Sequence, residues 1–358
     1  MVIATTGPCY SSCVKPLRAS PSTAFALPWI ESSDWEAQLD CRPLTSPERE
    51  LAVRYARDGY VIIDIVDPAF PEFAEQLRSS LEPELAKRDR VHDVWRTQPA
   101  ARQLAGLPEV TTLLRLLYDR EPIPFQTLHF RRGTEQESHS DSLHFHSLPH
   151  RFLCAAWIAL EDIGPDSGPL HLYPGSHRFP IWELHDLGLP PGSASYPRYE
   201  RALHATISQL GLPKKVLSVR KGQAVIWAAN LLHGGEPIHN HQSTRWSQVT
   251  HYFFENCLYY SPLRSDPYAG ELRLKHVVDV RTGRTILHVY GGRIFCPTAN
   301  QRFWMRPSLF AFARAVAASI IHDLRRLIVV LKHRFIGSGH YDRETPPDSS
   351  AAGRHEAN

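Results

Sequence analysis

The sequence predicts a mainly β protein with flanking helices, a jelly-roll barrel of the double-stranded β-helix kind. Three observations carry this. From about residue 122 onward, short apolar or alternating runs follow one another: Phe125–Phe130, Leu153–Leu160, Leu170–Tyr173, Ala224–Ala228 and Arg245–Phe254. Gly, Pro, Asn and Asp separate them, as in an antiparallel double sheet. Proline is abundant at 29 of 358 residues, which favours turns over long helical bundles. Helical periodicity is concentrated ahead of this region, where helices would cover one outer face of the sheet.

The elements follow in order. Residues 1–40 are expected to form an irregular N-terminal extension, dense in Ser, Thr and Pro over its first part. The main domain spans 41–305. Its first helix starts at Pro47 with Ser46 as N-cap, carries Glu48 and Glu50 at the positive end, and stops at Gly59. Tyr60–Asp64 reads as a strand, and helical patterns occupy about 70–88 and 108–118. Residues 181–220 look like a lid-like insertion over one mouth of the barrel. Residues 306–336 are expected to form a basic amphipathic helix, and 337–358 read as a disordered tail. Such a helix can lie on an anionic membrane surface, but packing against protein is the favoured reading, because most amphipathic helices bury their apolar stripe that way.

Composition narrows the function classes. Apolar residues make up 42% and charged residues 22%, which fits a globular protein rather than a disordered one. A net charge of +3 is too weak to imply nucleic-acid binding. The six cysteines are Cys9, Cys13, Cys41, Cys154, Cys257 and Cys296, and none forms a C-x-x-C pair. A zinc site or disulfide framework is not expected, and a reducing, cytoplasmic setting is. The first residues lack a basic stretch followed by an apolar one, so no signal peptide is expected. No apolar run approaches the roughly 20 residues that span a bilayer. The expected partner is a small-molecule substrate, and no oligomeric state is assigned.

The chemistry is concentrated in two segments. His139-Ser140-Asp141 is an H-x-D pair, and on a strand positions i and i+2 share a face. A histidine from a distant strand would complete a 2-His-1-carboxylate facial triad, the arrangement typical of non-haem iron(II) oxygenases. Alone, H-x-D is a weak signal. The second segment strengthens it. A buried strand, Ala224–Ala228, is followed by Asn230-Leu-Leu-His-Gly-Gly235, which puts His233 at a strand end. Arg245 stands on the next strand, and its guanidinium suits bidentate recognition of a carboxylate.

These residues carry a resemblance. His139-Ser-Asp141, Trp157-Ile-Ala-Leu-Glu-Asp162, Ser167-Gly-Pro-Leu170, Pro174-Gly-Ser-His177 and His233 with Arg245 behind it resemble, in that order, the phytanoyl-CoA dioxygenase family. The resemblance covers about residues 125–255, with a similar N-terminal region around 47–64. It implies that His139, Asp141 and His233 bind iron(II). It also implies that Arg245 anchors the distal carboxylate of the cosubstrate 2-oxoglutarate, that Trp157 lines the cosubstrate pocket, and that O2 is consumed. The implied reaction hydroxylates a small-molecule or lipid-like substrate and releases succinate and carbon dioxide. The same iron chemistry can instead give desaturation, epimerisation or cyclisation. A cupin-type enzyme without 2-oxoglutarate and a non-catalytic barrel are the rival classes. Ser140 and Gly235 stand where the family often has Gln and Ser.

Other residues have plainer readings. On an uninterrupted strand, His144 and His146 would face away from the triad and line the substrate side or the surface. His129, His150 and His171 are expected in core or surface roles, and His177 in a structural turn. Arg131 and Arg132 read as a solvated strand end. One of His251 and Tyr252 must face the pocket. Trp157 also has a core reading.

Overall fold

A computed structural model of the protein describes residues 27–295 and 302–304. The helices are α1 (Trp35–Asp40), α2 (Ser46–Asp58), α3 (Phe70–Leu85), α4 (Pro99–Ala105), α5 (Pro108–Tyr118) and α6 (Tyr196–Leu210). In α2 the backbone N–H of Thr45 donates to the Glu48 carboxylate at 2.8 Å. The cap is therefore Thr45, one residue before the expected Ser46, because Glu48 reaches back three positions in a capping box. Gly59 ends the helix at φ 80°, a conformation that glycine adopts without Cβ strain.

Among the strands, β1 (Tyr60–Asp64), β2 (Val91–His92), β3 (Pro122–Phe130), β4 (His146–Leu148) and β5 (Leu153–Ala159) come first. They are followed by β6 (Leu170–Leu172), β7 (Lys215–Val216), β8 (Gln223–Ala228), β9 (His233–Gly235), β10 (Ser247–Phe254), β11 (Leu258–Tyr260) and β12 (Glu271–Arg273). The main sheet has the order β1-β8-β5-β10-β3-β2, and a smaller one the order β7-β6-β9. Every pairing in both is antiparallel. Among the described residues the strands do not close into a barrel. The molecule is a two-sheet jelly roll with helices on one side.

Strand alternation gives the main sheet two different faces. Ala156 and Ile158 of β5, Ile226 of β8 and Phe254 of β10 pack against the helices. Their neighbours Trp157, Trp227 and Val249 pack instead with Leu170 and Leu172 of the small sheet. The helical side supplies the larger core. Leu114 and Leu117 of α5 are fully buried there, each contributing about 2 kcal/mol through removal of apolar surface from water.

Three expectations change. The stretch up to residue 40 is not wholly irregular. Trp29–Glu31 forms a 3-10 turn and Trp35–Asp40 a helix, and Trp29, Ile30 and Leu39 are buried in the helical core. Their apolar side chains outweigh the turn-forming residues around them. The insertion at 181–220 contains α6 rather than only loop, with Tyr199 and Leu203 buried against Leu143 and Leu232. H-x-D does not lie on a regular strand. His139 makes an isolated bridge to His233, and Asp141 opens a 3-10 turn, Asp141–Leu143. The expected helix at 306–336, the tail at 337–358 and residues 1–26 lie outside the described residues. Among the described residues no helix is long and apolar enough to cross a membrane.

Candidate active site

The backbone brings the two histidines together. The N–H of His139 donates to the carbonyl of His233 at 2.9 Å, and the N–H of His233 to that of His139 at 3.0 Å. The chain can approach this closely because Gly234 has no side chain. A Cβ there would lie 2.7 Å from the Gln136 carbonyl and from the His171 ring. Gly235 is also tight, with a built Cβ 3.2 Å from the Gln136 nitrogen, which is a reason for glycine where the resembled family often has serine.

Asp141 completes the group. Its Oδ1 lies 3.9 Å from His139 Nε2 and 3.8 Å from His233 Nε2. One ligand atom from each of the three falls within 4.8 Å of the others. The tautomers are set by the backbone. Nδ1 of His139 donates to the carbonyl of Glu137 at 2.9 Å, and Nδ1 of His233 to that of Leu231 at 3.0 Å. Both Nε2 atoms therefore carry lone pairs, which is how ligating histidines are commonly oriented. The Gln136 side-chain amide donates to His139 Nε2 at 3.3 Å, a contact that a metal ion would displace. Burial pushes the His139 imidazole down to about 4, aided by the neighbouring His233, and burial also lowers His233. Burial would raise the Asp141 carboxyl, but the imidazoles of His233, His251 and His139 outweigh it and hold the carboxyl well below the usual range. At neutral pH the donor set is two neutral imidazoles and one carboxylate. That set suits a divalent cation such as iron(II).

The group lines a cavity of about 630 Å³ that also contains Arg245 and Trp157. Arg245 is only 2% exposed. Burial pushes its guanidinium down to about 10, so it stays charged at neutral pH. One N–H donates to the Gly168 carbonyl at 2.9 Å, while Nε is buried without a partner. Trp157 Nε1 is likewise buried and unpartnered, and its ring lies 5.9 Å from the Arg245 guanidinium carbon. Two polar groups left orphaned in one cavity are costly unless a ligand satisfies them.

All five residues singled out in the sequence thus line one cavity. Two further residues act on it. Trp227 Nε1 donates to Asp141 Oδ2 at 3.0 Å, and His251 Nε2 lies 3.6 Å from the same oxygen. Of the pair left open, His251 faces the cavity, whereas Tyr252 donates to the Ala105 carbonyl on the helical side. His144 lines the cavity as well, but for another reason than strand parity, since the turn at 141–143 resets the alternation. His146 pairs with His150 at 3.0 Å. Arg131 pairs with Glu82 at 2.8 Å, and buried His177 donates to the Ala56 carbonyl at 3.2 Å.

Comparison with known proteins places the chain in a family. The family model that matches is that of phytanoyl-CoA dioxygenase, over residues 63–246, just over half of the chain. None of the curated proteins matches significantly in sequence. Among solved structures, the epimerase SnoN from nogalamycin biosynthesis, in complex with Fe3+, alpha ketoglutarate and nogalamycin RO, is 20% identical. The match covers 67% of this chain and 98% of that one at a TM-score of 0.50, which supports the fold. EctD from S. alaskensis with bound Fe is 17% identical over 69% of this chain and 87% of that one, at a TM-score of 0.49. The carbocyclase SnoK, also from nogalamycin biosynthesis, is 21% identical over 61% and 87%, at 0.46.

Proposed function

The chain belongs to the phytanoyl-CoA dioxygenase family, and on that premise we propose that it is an iron(II)/2-oxoglutarate-dependent dioxygenase hydroxylating a small-molecule or lipid-like substrate. The observation that carries this reading is the pair of neutral imidazoles and the ionised carboxylate facing one point, with a buried guanidinium in the same cavity. His139, Asp141 and His233 hold the iron. Arg245 receives the far carboxylate of 2-oxoglutarate, and its unpartnered Nε gains an acceptor. Trp157 lines the cosubstrate side and offers its orphaned Nε1–H. When bound, iron(II) with 2-oxoglutarate and O2 supplies the oxidative chemistry, with release of succinate and carbon dioxide.

The protein's own part is orientation and exclusion of water. Trp227 and His251 fix the Asp141 carboxylate from behind. Phe130, Phe145, Leu170 and Val249 give the cavity an apolar wall, which keeps water from the reacting carbon. Tyr196, at the start of α6, adds a wall from the 181–220 segment, and His204 of the same helix donates to the Ser138 carbonyl at 3.2 Å. Both contacts support reading that segment as a lid.

The test needs no substrate. Under anaerobic conditions, iron(II) and 2-oxoglutarate added together should give a visible charge-transfer band. Asp141→Ala should abolish the band. Arg245→Ala should keep it but demand about tenfold or more 2-oxoglutarate, the loss expected for one charge-assisted contact. Absence of any band in the wild type at saturating iron and cosubstrate would overturn the reading.

A further inference from the structure

The two ends of the cavity differ in charge. The inner end carries the triad and Arg245. The outer end is lined by Arg90, His92, Arg264, Arg273 and Lys275. Along the whole lining Asp141 is the one acidic residue among the described residues. Several cations elsewhere on the molecule are ion-paired, among them Arg115 with Glu121, Arg151 with Glu31, and Arg281 with Asp279 and Glu121. Among the described residues no carboxylate comes within ion-pair distance of Arg90, Arg264, Arg273 or Lys275.

The backbone beneath these side chains is fixed. Ser261 N–H donates to the Arg273 carbonyl at 3.0 Å, Arg273 N–H to Ser265 Oγ at 2.9 Å, and Lys275 N–H to the Tyr259 carbonyl at 2.9 Å. The charges are thus presented on a pinned frame with no counter-ion among the described residues. Lys275 is the most informative. Its Nζ lies 3.9 Å from the centre of the Phe145 ring and 5.9 Å from that of Phe125. Burial pushes its ammonium down to about 8. Arg264 adds to the shift, and the more distant attraction of Asp93 opposes it. An aromatic face helps a cation by only about 0.5–2 kcal/mol and satisfies none of its three donors as an anion would. Lys275 is half-buried, and an ammonium partly removed from water without an ion pair is unfavourable unless something else supplies the opposite charge.

We propose that the outer end of the cavity is an oxyanion subsite, where Lys275, with Arg273 and Arg264, holds a carboxylate or phosphate of the substrate. The apolar wall of Leu128, Phe145 and Val249 carries the carbon skeleton from that anchor toward the triad. The substrate is then an anion at neutral pH, attacked at a carbon remote from its charged end. This rests on the function proposed above.

The test uses the full chain with 2-oxoglutarate in excess, so that Arg245 is occupied. Binding of octanoate and, separately, of inorganic phosphate is measured by titration calorimetry, with the anaerobic charge-transfer band recorded on the same samples. At least one probe should bind the wild type. Affinity should fall about tenfold in Lys275→Met, the cost of one charge-assisted contact, and further in Lys275→Met/Arg273→Gln. It should be restored in Lys275→Arg, with the band unchanged throughout. Methionine keeps the stem that packs on Phe145, so loss of folding is not the expected route. Octanoate alone binding would mark a carboxylate site, and phosphate alone a phosphate site. Binding of neither probe, or equal binding by wild type and the double variant, would overturn the subsite. Oxyanion binding without any charge-transfer band would uphold the subsite and sink the iron reading instead.

Discussion

Asp141 shows how much of a site lies in residues that never touch a ligand. One carboxylate oxygen faces the two histidines, and the other is held by Trp227 Nε1 at 3.0 Å. Trp227→Phe removes that donor and keeps most of the ring. Iron affinity, read by competition with a chelator, should fall by about ten- to a hundredfold, with far-ultraviolet circular dichroism unchanged. Unaltered affinity would mean that His251 alone orients the carboxylate. The proposed ligands were legible in the sequence, because His139, Asp141, His233 and Arg245 stand in order with the other motifs of the resembled family, although His alone is common at 20 residues. Trp227 was not, and His251 was legible only as one of a pair with Tyr252. Each lies in an apolar strand run, and only the register Ala155↔Trp227 and His251↔Ala155 puts them on the cavity face. Lys275 escaped for a similar reason, since nothing local distinguishes it from a surface lysine until Phe145 is found beside it.

At the scale of elements, the site depends on a short pairing. Strand β9 has three residues, His233–Gly235, and meets the His139 segment at one bridge. Gly234→Ala would press a methyl group against the Gln136 carbonyl and the His171 ring at 2.7 Å, a distance no real contact tolerates. Iron binding in this variant should be lost or weakened at least as severely as in Trp227→Phe. Stability should fall by about 1–3 kcal/mol, the usual cost of forced overpacking, measured by urea unfolding. Unchanged iron affinity would show that the bridge can slip without moving its histidines. Most elements were legible. The runs at 125–130, 153–160, 224–228 and 245–254 lie within or across β3, β5, β8 and β10 because β-branched and aromatic residues are cut off by turn formers. Apart from α6, set in the proline-rich 181–220 segment, the elements that escaped are the short ones. Strand β2 has two residues and α4 seven, too few turns or alternations for periodicity to emerge. The expected strand through His139 and Asp141 failed for the opposite reason. Its spacing fits a strand, but Ser140 Oγ accepts from the Ser142 backbone at 3.2 Å, and that local bond competes with the ladder.

Across the whole molecule, the metal-binding groups come from positions nearly a hundred residues apart, at 139–141 and 233, with Arg245 beyond them. Any ligand that joins them stabilises the folded chain over the unfolded one. With iron(II) and 2-oxoglutarate each at a hundred times its dissociation constant, the gain should be about 2.7 kcal/mol per site. Scanning calorimetry should show this as a rise in Tm. In Asp141→Ala the metal-dependent part of the rise should vanish. An equal rise in that variant would place the bound metal elsewhere.

The reciprocal bonds between His139 and His233 run from backbone to backbone and call on no ligand. Folding itself therefore brings the two imidazoles together, and less chain entropy remains to be lost when an ion arrives. A chelate finished in advance cannot use folding to choose its ion. By the Irving–Williams order, copper and zinc would compete strongly for two imidazoles and a carboxylate. Which metal the site takes then depends on what its surroundings supply.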